Sequence, residues 1–375
     1  MRKGAGMKRL KVVVAMSGGV DSSVAAGLLV EAGHEVIGLA MRTHTLAAKS
    51  NRACCTPDDM RDARKVADLL GIRFYVLDYE QTFVDEVVRP FAQAYRQGQT
   101  PNPCVTCNDR VKFRPLLKQA KLLGADKLAT GHYAQIVTAH GLPYLARAHD
   151  PDKDQAYFLY RLGPEQLAEV LFPVGQMSKS QVRAHAERLG LPVAHKAESQ
   201  EICFVGPAGY AATVEKVSGA QTGANGLPPG EFVDALGKVL GQHAGIHHFT
   251  LGQRRGLGLS APEPLYVIDI QPDSHRVVVG PKEALLGPDV PLRDVRWVHG
   301  PPQVGAVVQV QRRHRGTLEP AVVQAVNADG SALLSLVTPA PRAAPGQAVV
   351  VFEDHRVLGG GTAAAKAAAL PILAS

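Results

Sequence analysis

Residues 10–33 read LKVVVAMSGGVDSSVAAGLLVEAG, and the fold turns on how this stretch is parsed. The run LKVVVAM (10–16) is short, apolar and β-branched, as a buried strand is. Beyond it the apolar residues fall at helical spacing, Val24 with Leu28 and Ala25 with Leu29 and Ala32, until Gly33 ends the pattern. The reading is strand, glycine turn, helix. The alternation continues with a second buried strand at EVIGLAM (35–41). A helix follows, with Thr56 as N-cap, Pro57 in its first turn, Ala63, Val66, Ala67 and Leu70 on one face, and Gly71 closing it. FYVLD (74–78), helices over 82–96 and 111–123, and KLAT (127–130) complete the series. Repeated strand–helix units imply an α/β domain built on a doubly wound parallel sheet.

The texture then changes. Residues 151–205 are polar and helical, with a Ser178–Gln181 capping-box pattern, and read as an appendage to this first domain. From Gly206 onward glycine and proline punctuate period-two alternation, as in YVIDI and RVVVG around PDSH. VVQVQRRHR (307–315), a hairpin turning at Asp329–Gly330 and QAVVVFEDHRVLGG predict a small β-barrel. The expected plan is an α/β domain over 1–205, two smaller β-rich domains over 206–289 and 290–361, and a low-complexity tail over 362–375.

Composition bounds the function. With 46% hydrophobic and 20% charged residues the 375-residue chain is too apolar to be disordered. No apolar run approaches the roughly 18 residues of a membrane span and no signal peptide precedes the first strand, so a cytoplasmic protein with no membrane partner is expected. Five cysteines are too few for a disulfide scaffold. A net charge of +7, concentrated at the two ends, suits a polyanionic partner such as nucleic acid.

The segment Ser17–Ser23, SGGVDSS, sits at the C-terminal end of the first strand and opens the first helix. There, backbone N–H groups and the helix dipole favour a bound phosphate. It lacks the lysine of a Walker loop, which argues against γ-phosphoryl transfer. SGGVDSS resembles the pyrophosphate loop of ATP pyrophosphatases, which adenylate an oxygen and release pyrophosphate. QTPNPCVTCNDRVKF (99–113), Gly131-His132-Tyr133, Lys153-Asp154-Gln155, SQEICF (199–204), TLGQRRGLG (250–258) and PGQAVVVFE (345–353) extend the likeness. In this order, over residues 8–361, the chain resembles the tRNA-specific 2-thiouridylase family.

That resemblance implies sulfur insertion at C2 of the wobble uridine of certain tRNAs, using ATP and Mg²⁺. It places the nucleotide on Ala15, Met16, Ser17, Gly18, Gly19, Val20, Asp21, Ser22, Met41 and Gly131, with Asp21 where Mg²⁺ would bridge. Cys203 would carry a persulfide, and Cys107 would attack it or form a disulfide with it. His132, Lys153, Asp154, Gln155, Gln311, Arg312 and Gln347 fall at tRNA-contact positions. Sulfur would come from a persulfide-donating relay protein or a cysteine desulfurase.

The residues support this chemistry independently. Exchanging a carbonyl oxygen for sulfur needs a leaving group, which adenylation makes, and a sulfur nucleophile, which a persulfide supplies. Asn102, Pro103 and Asn108 suggest a turn around Cys107. Two departures matter. Many family members have an aspartate where this chain has Cys104; the trio Cys104, Cys107 and Cys203 could instead hold a 4Fe–4S iron–sulfur cluster or zinc. The family's C-terminal Arg-Tyr pair falls on Gln311-Arg312, so the aromatic contact is missing. Arg312, Arg313 and Arg315, read as one strand, and Arg254 and Arg255 would serve a phosphate backbone. Cys54 and Cys55 read as loop or packing residues. The alternatives are another ATP-pyrophosphatase-type ligase acting on a small carboxylate, and a non-catalytic RNA-binding protein.

Overall fold

The computed structural model describes residues 8–43, 56–198, 202–219 and 227–365. Cys54, Cys55, the start before Met7 and the end of the expected tail lie outside them. Two compact units emerge: residues 1–84 with 107–204, and residues 85–106 with 205–375.

The first unit begins with β1 (Lys11–Ala15), α1 (Val20–Glu31), β2 (Glu35–Arg42), α2 (Pro57–Leu69) and β3 (Arg73–Asp78). Thr56 caps α2 as expected: its side chain accepts from the Asp59 N–H, and Asp59 Oδ2 accepts from the Thr56 N–H. After α3 (Glu80–Phe83) the chain forms a π-helical stretch (Val84–Val88), then α4 (Arg89–Arg96) and α5 (Pro103–Thr106), the residues from Asp85 to Thr106 belonging to the second unit. A second π-helical stretch, Cys107–Phe113, leads into α6 (Arg114–Leu122) and β4 (Lys127–Thr130). The hairpin of β5 (Gln135–Ala139) and β6 (Leu142–Ala146), which periodicity did not signal, precedes α7 (Ala156–Leu159), α8 (Pro164–Glu169), β7 (Val170–Leu171) and α9 (Lys179–Arg188). The capping box at Ser178 and Gln181 is present and opens α9.

The parallel sheet runs β3-β2-β1-β4-β7. The chain therefore winds one way from β1 through β2 to β3 and returns to β1's other edge at β4. Right-handed crossovers place the helices of the two windings on opposite faces. One face buries Val12, Val14 and Met16 under Val24 and Ala25 of α1, Ala63, Val66 and Ala67 of α2, and Val182 and Ala186 of α9. The strand ends part between β1 and β4, the switch point where open α/β sheets bind ligands.

In the second unit α10 (Gly209–Ser218) is a helix that the β-rich reading of the middle region did not single out. It packs on α4, where Tyr95 stacks on Tyr210 at 4.8 Å. β8 (Gly230–Val233), β9 (Val239–His243), β10 (Tyr266–Gln271) and β11 (Arg276–Gly280) form a sheet in the order β10-β11-β8-β9. β12 (Leu286–Trp297), β13 (Val307–Gln311), β14 (Glu319–Val326), β15 (Ala332–Pro341), β16 (Ala348–Glu353) and β17 (Arg356–Ala363) follow. They pair as β12-β15-β14-β13-β16-β17, and β17 returns to β12 to close a six-stranded barrel around Val310, Val323, Leu334 and Val351. Closure removes the exposed sheet edges. No described helix is long and apolar enough to cross a membrane.

Candidate active site

A cavity of about 220 Å³ opens at the β1/β4 switch point. Ala15, Met16, Ser17, Asp21, Ser22, Met41 and Gly131 line it, together with Lys112, Phe113, Thr130, His132 and Gln155. Gly18, Gly19 and Val20 form the turn behind. Gly18 has φ +72°, and a Cβ there would lie 2.1 Å from the Asp59 carbonyl oxygen, so only glycine lets this turn press against the start of α2. A Cβ on Gly131 would lie 2.4 Å from the Ser22 nitrogen. The end of β4 thus approaches the first turn of α1 backbone to backbone. Gly19, the N-cap of α1, supplies no side-chain cap. Uncapped first-turn amides, a helix dipole and an adjoining cavity make an anion cradle.

Charge is organised around Asp21. Lys179 Nζ donates to both its carboxylate oxygens, at 2.7 and 3.0 Å, and the Tyr133 hydroxyl donates to Oδ1 at 2.7 Å. Lys179 also meets Glu198 at 2.5 Å, and Lys153 donates to the same carboxylate at 2.7 Å. Burial alone would raise the pKa of Glu198, but the bonds from Lys153 and Lys179 hold it below the ordinary carboxylate value. On the far side of the turn Lys196 donates to the Gly18 carbonyl at 3.0 Å and pairs with Asp59 and Asp62 at 2.7 and 2.6 Å. Tyr133, Lys179, Lys196 and Glu198 were not singled out from the sequence as site residues. The signal available for Lys179 was its place immediately after the Ser178 cap.

The tRNA-contact expectations meet a different geometry. His132 bonds Thr130 Oγ1 at 2.8 Å, and burial, assisted by Lys112, pushes its pKa down to about 3. It is a neutral wall of the cavity. Asp154 is buried, receives Arg147 Nε at 2.7 Å and accepts from the Ala148 and Ala156 N–H groups. Gln155 Oε1 accepts from the Tyr133 N–H at 2.9 Å. The triplet 153–155, which looks like a solvated loop in the sequence, is held by its side chains: Lys153 joins the charge network through Glu198, Asp154 binds locally to Arg147 and two amides, and Gln155 reaches back to Tyr133.

The cysteines are likewise on ordered structure. Cys104, Cys107 and Cys203 are each half-buried. The expected turn around Cys107 is replaced by helix: Asn102 Oδ1 accepts from the Val105 N–H at 3.4 Å, starting α5, and Asn108 is buried with its amide donating to the Phe158 carbonyl at 3.4 Å. Asparagine served as a helix start and a buried tie. The helix beginning at Cys107 packs on α3, and so does the loop of Cys203, through Phe204 edge-on to Phe83 at 5.7 Å. Among the described residues the grouping of metal-ligating side chains is Glu215, His247 and His248, and it contains no cysteine.

In the barrel the reading of 307–315 as one strand is corrected. β13 ends at Gln311, and Arg315 takes φ +57° in the turn beyond. Gln311 is buried, donating to the Gly316 carbonyl at 3.2 Å. Arg312 is held by both oxygens of Glu319, at 2.6 and 2.7 Å, which cancels its charge locally, whereas Arg313 is exposed. Gln347 lies in the turn before β16, where its carbonyl accepts from the Ala363 N–H at 2.8 Å.

Fold and site together define a nucleotide-binding α/β domain followed in sequence by two β modules. Family models match in that order: "tRNA methyl transferase HUP domain" over residues 10–207, "tRNA methyl transferase PRC-barrel domain" over 223–281 and "Aminomethyltransferase beta-barrel domain" over 289–363. Over its length the chain is similar to the tRNA-specific 2-thiouridylase MnmA of Rhodospirillum centenum, 49% identical over 94% of this chain and 91% of that protein. It is also similar to those of Methylorubrum extorquens (49%, covering 94% and 93%) and Geobacter metallireducens (48%, covering 94% and 96%). The chain belongs to the tRNA-specific 2-thiouridylase family.

Gly131→Ala puts a methyl group into the α1 backbone and is expected to weaken ATP binding by at least about tenfold, or about 1.4 kcal/mol, in a nucleotide titration. Unchanged affinity would remove this approach from the cradle. A second expectation concerns pH. Because the pKa of Glu198 is lowered on folding, its ion pairs contribute stability above the ordinary carboxylate range, and this is lost as pH falls through the lowered value. Denaturation midpoints measured from neutral into acid should fall less steeply for Glu198→Gln than for the parent; parallel curves would show the pairs to be uncoupled from folding.

Proposed function

We propose that this protein thiolates C2 of the wobble uridine in tRNA, in the cytoplasm, consuming ATP. The observation that carries the reading is the switch-point cavity, where a glycine-bounded anion cradle abuts a pocket walled by Met16, Met41 and Phe113. The residues present suit ATP: α1's first turn would hold its phosphates and the apolar wall its base. Mg²⁺ would accompany the nucleotide. Lys179 donates to both Asp21 oxygens, so this lysine puts positive charge beside the cradle and keeps the carboxylate oriented.

With ATP bound, the uridine C2 oxygen attacks the α-phosphate and pyrophosphate leaves, making the oxygen part of an AMP leaving group. Cys203 carries a persulfide delivered by a relay protein or cysteine desulfurase. Attack of the Cys107 thiolate on the Cys203 sulfur forms a Cys107–Cys203 disulfide and releases hydrosulfide, which adds at C2 and expels AMP; an external thiol then reduces the disulfide. The shared packing of both cysteine segments on α3 supports this pairing.

The direct test is nucleoside mass spectrometry of tRNA incubated with the protein, ATP and a persulfide source. Cys203→Ser should give no 2-thiouridine while binding tRNA normally, and Cys104→Ser should retain turnover in iron-free protein. Product from the first variant, or parent turnover that appears only after iron reconstitution and is absent from the Cys104 variant, would defeat the persulfide route. The barrel turn makes its own prediction. Arg313→Ala should make the slope of log tRNA affinity against log salt shallower by about 0.7 to 0.9, whereas Arg312→Ala should change it less, its charge being paired with Glu319. Equal slopes in parent and Arg313 variant would take this turn out of the RNA interface.

A further inference from the structure

Glu215 of α10 faces two consecutive residues, His247 and His248, in the single 3₁₀ turn Ile246–His248. One potential ligand atom from each lies within 4.8 Å of the other two. His247 Nε2 is 3.1 Å from Glu215 Oε1, and His248 Nε2 is 3.4 Å from the same oxygen. The first approach is an aligned hydrogen bond. The second is not, and His248 Nε2 is left buried and unpartnered. The His247 side chain is wholly buried, with its Nδ1 also unpartnered, and the two imidazole rings are 4.2 Å apart.

Two ring nitrogens crowded on one carboxylate oxygen, one without a hydrogen bond, is a costly arrangement for a site with only protons to share. It is close to what a metal would require. With bonds of about 2.0 to 2.1 Å, the edge of a tetrahedron of ligands around zinc is about 3.3 to 3.4 Å. The two ligand separations, 3.1 and 3.4 Å, are already near that edge. The surroundings hold the turn in place: the Tyr210 hydroxyl donates to the His248 carbonyl at 2.8 Å, and Tyr210 itself stacks on Tyr95 of α4. Glu215 and His248 keep 27% and 34% of their side-chain surface exposed, so the cluster lies beneath the surface, and an ion reaches the buried ring nitrogens by a small movement of these two side chains.

We propose that Glu215, His247 and His248 bind one divalent transition-metal ion of the zinc class, with solvent completing the coordination. Two imidazoles and a carboxylate suit zinc or cobalt rather than magnesium or calcium, which take oxygen donors. On binding, the proton shared between His247 and Glu215 leaves to solvent and the metal takes its place. The ion then ties α10 to the turn that opens TLGQRRGLG, a fastening role remote from the thiolation chemistry.

The test uses the tag-free full-length chain. Titration with Co²⁺ should give one retained ion per chain, with visible ligand-field bands and no thiolate charge-transfer band, and Zn²⁺ should displace it. Glu215→Gln and, at the more exposed position, His248→Ala should each lose the retained ion while keeping the parent's far-ultraviolet circular dichroism. Zn²⁺ should raise the thermal midpoint of the parent and not of either variant. Absence of retained cobalt in the parent, bands of thiolate type only, or undiminished binding in both variants would each overturn the proposal.

Discussion

On either side of the β1–α1 turn backbone meets backbone where a single extra carbon would not fit, and the rest of the site depends on these contacts. Gly18 lies against the Asp59 carbonyl and Gly131 against the Ser22 nitrogen. Together they fix the β1–α1 turn between α2 and the end of β4, so the amides of α1 stand beside a cavity that parallel-sheet topology has already opened. Neither glycine has chemistry of its own. Each permits an approach that makes uncapped amides into an anion site.

Around this cradle the charges alternate: Lys153, Glu198, Lys179, Asp21, with the Tyr133 hydroxyl on the last carboxylate. The series begins at a residue the family resemblance assigns to tRNA contact and ends at the nucleotide loop. Removing one member would leave a partly buried neighbour without its counter-charge, which in low-dielectric surroundings costs more than the pair contributes when whole. The order of the loop is therefore coupled to the segment 153–155 by electrostatics, without any shared backbone element.

Sequence patterning carried the reading far where the pattern is local. The strand–turn–helix at 10–33, the Thr56 and Ser178 caps, the β-hairpins and the barrel all follow from spacing and turn chemistry, and the place of SGGVDSS between strand and helix was legible in the same way. What stayed hidden depends on tertiary partners. Asp154 looks like a loop carboxylate until Arg147 and two amides enclose it, Asn108 looks like a turn former until Phe158 accepts its proton, and Arg312 looks like free positive charge until Glu319 takes it. α10 has little amphipathic signal because its hold comes from an aromatic stack on α4. The roles of Lys179 and Lys196 rest on contacts 158 and 178 residues away in sequence, beyond any periodicity.

The central claim is that the switch-point cradle serves to turn the uridine C2 oxygen into a leaving group. An oxygen isotope label placed at C2 of the wobble uridine tests this most directly, since the bond from that oxygen to the α-phosphate must form before sulfur enters. Mass analysis after a single turnover with unlabelled ATP should find the label in AMP and none in pyrophosphate or water. Thiolated tRNA formed with unlabelled AMP would contradict the account.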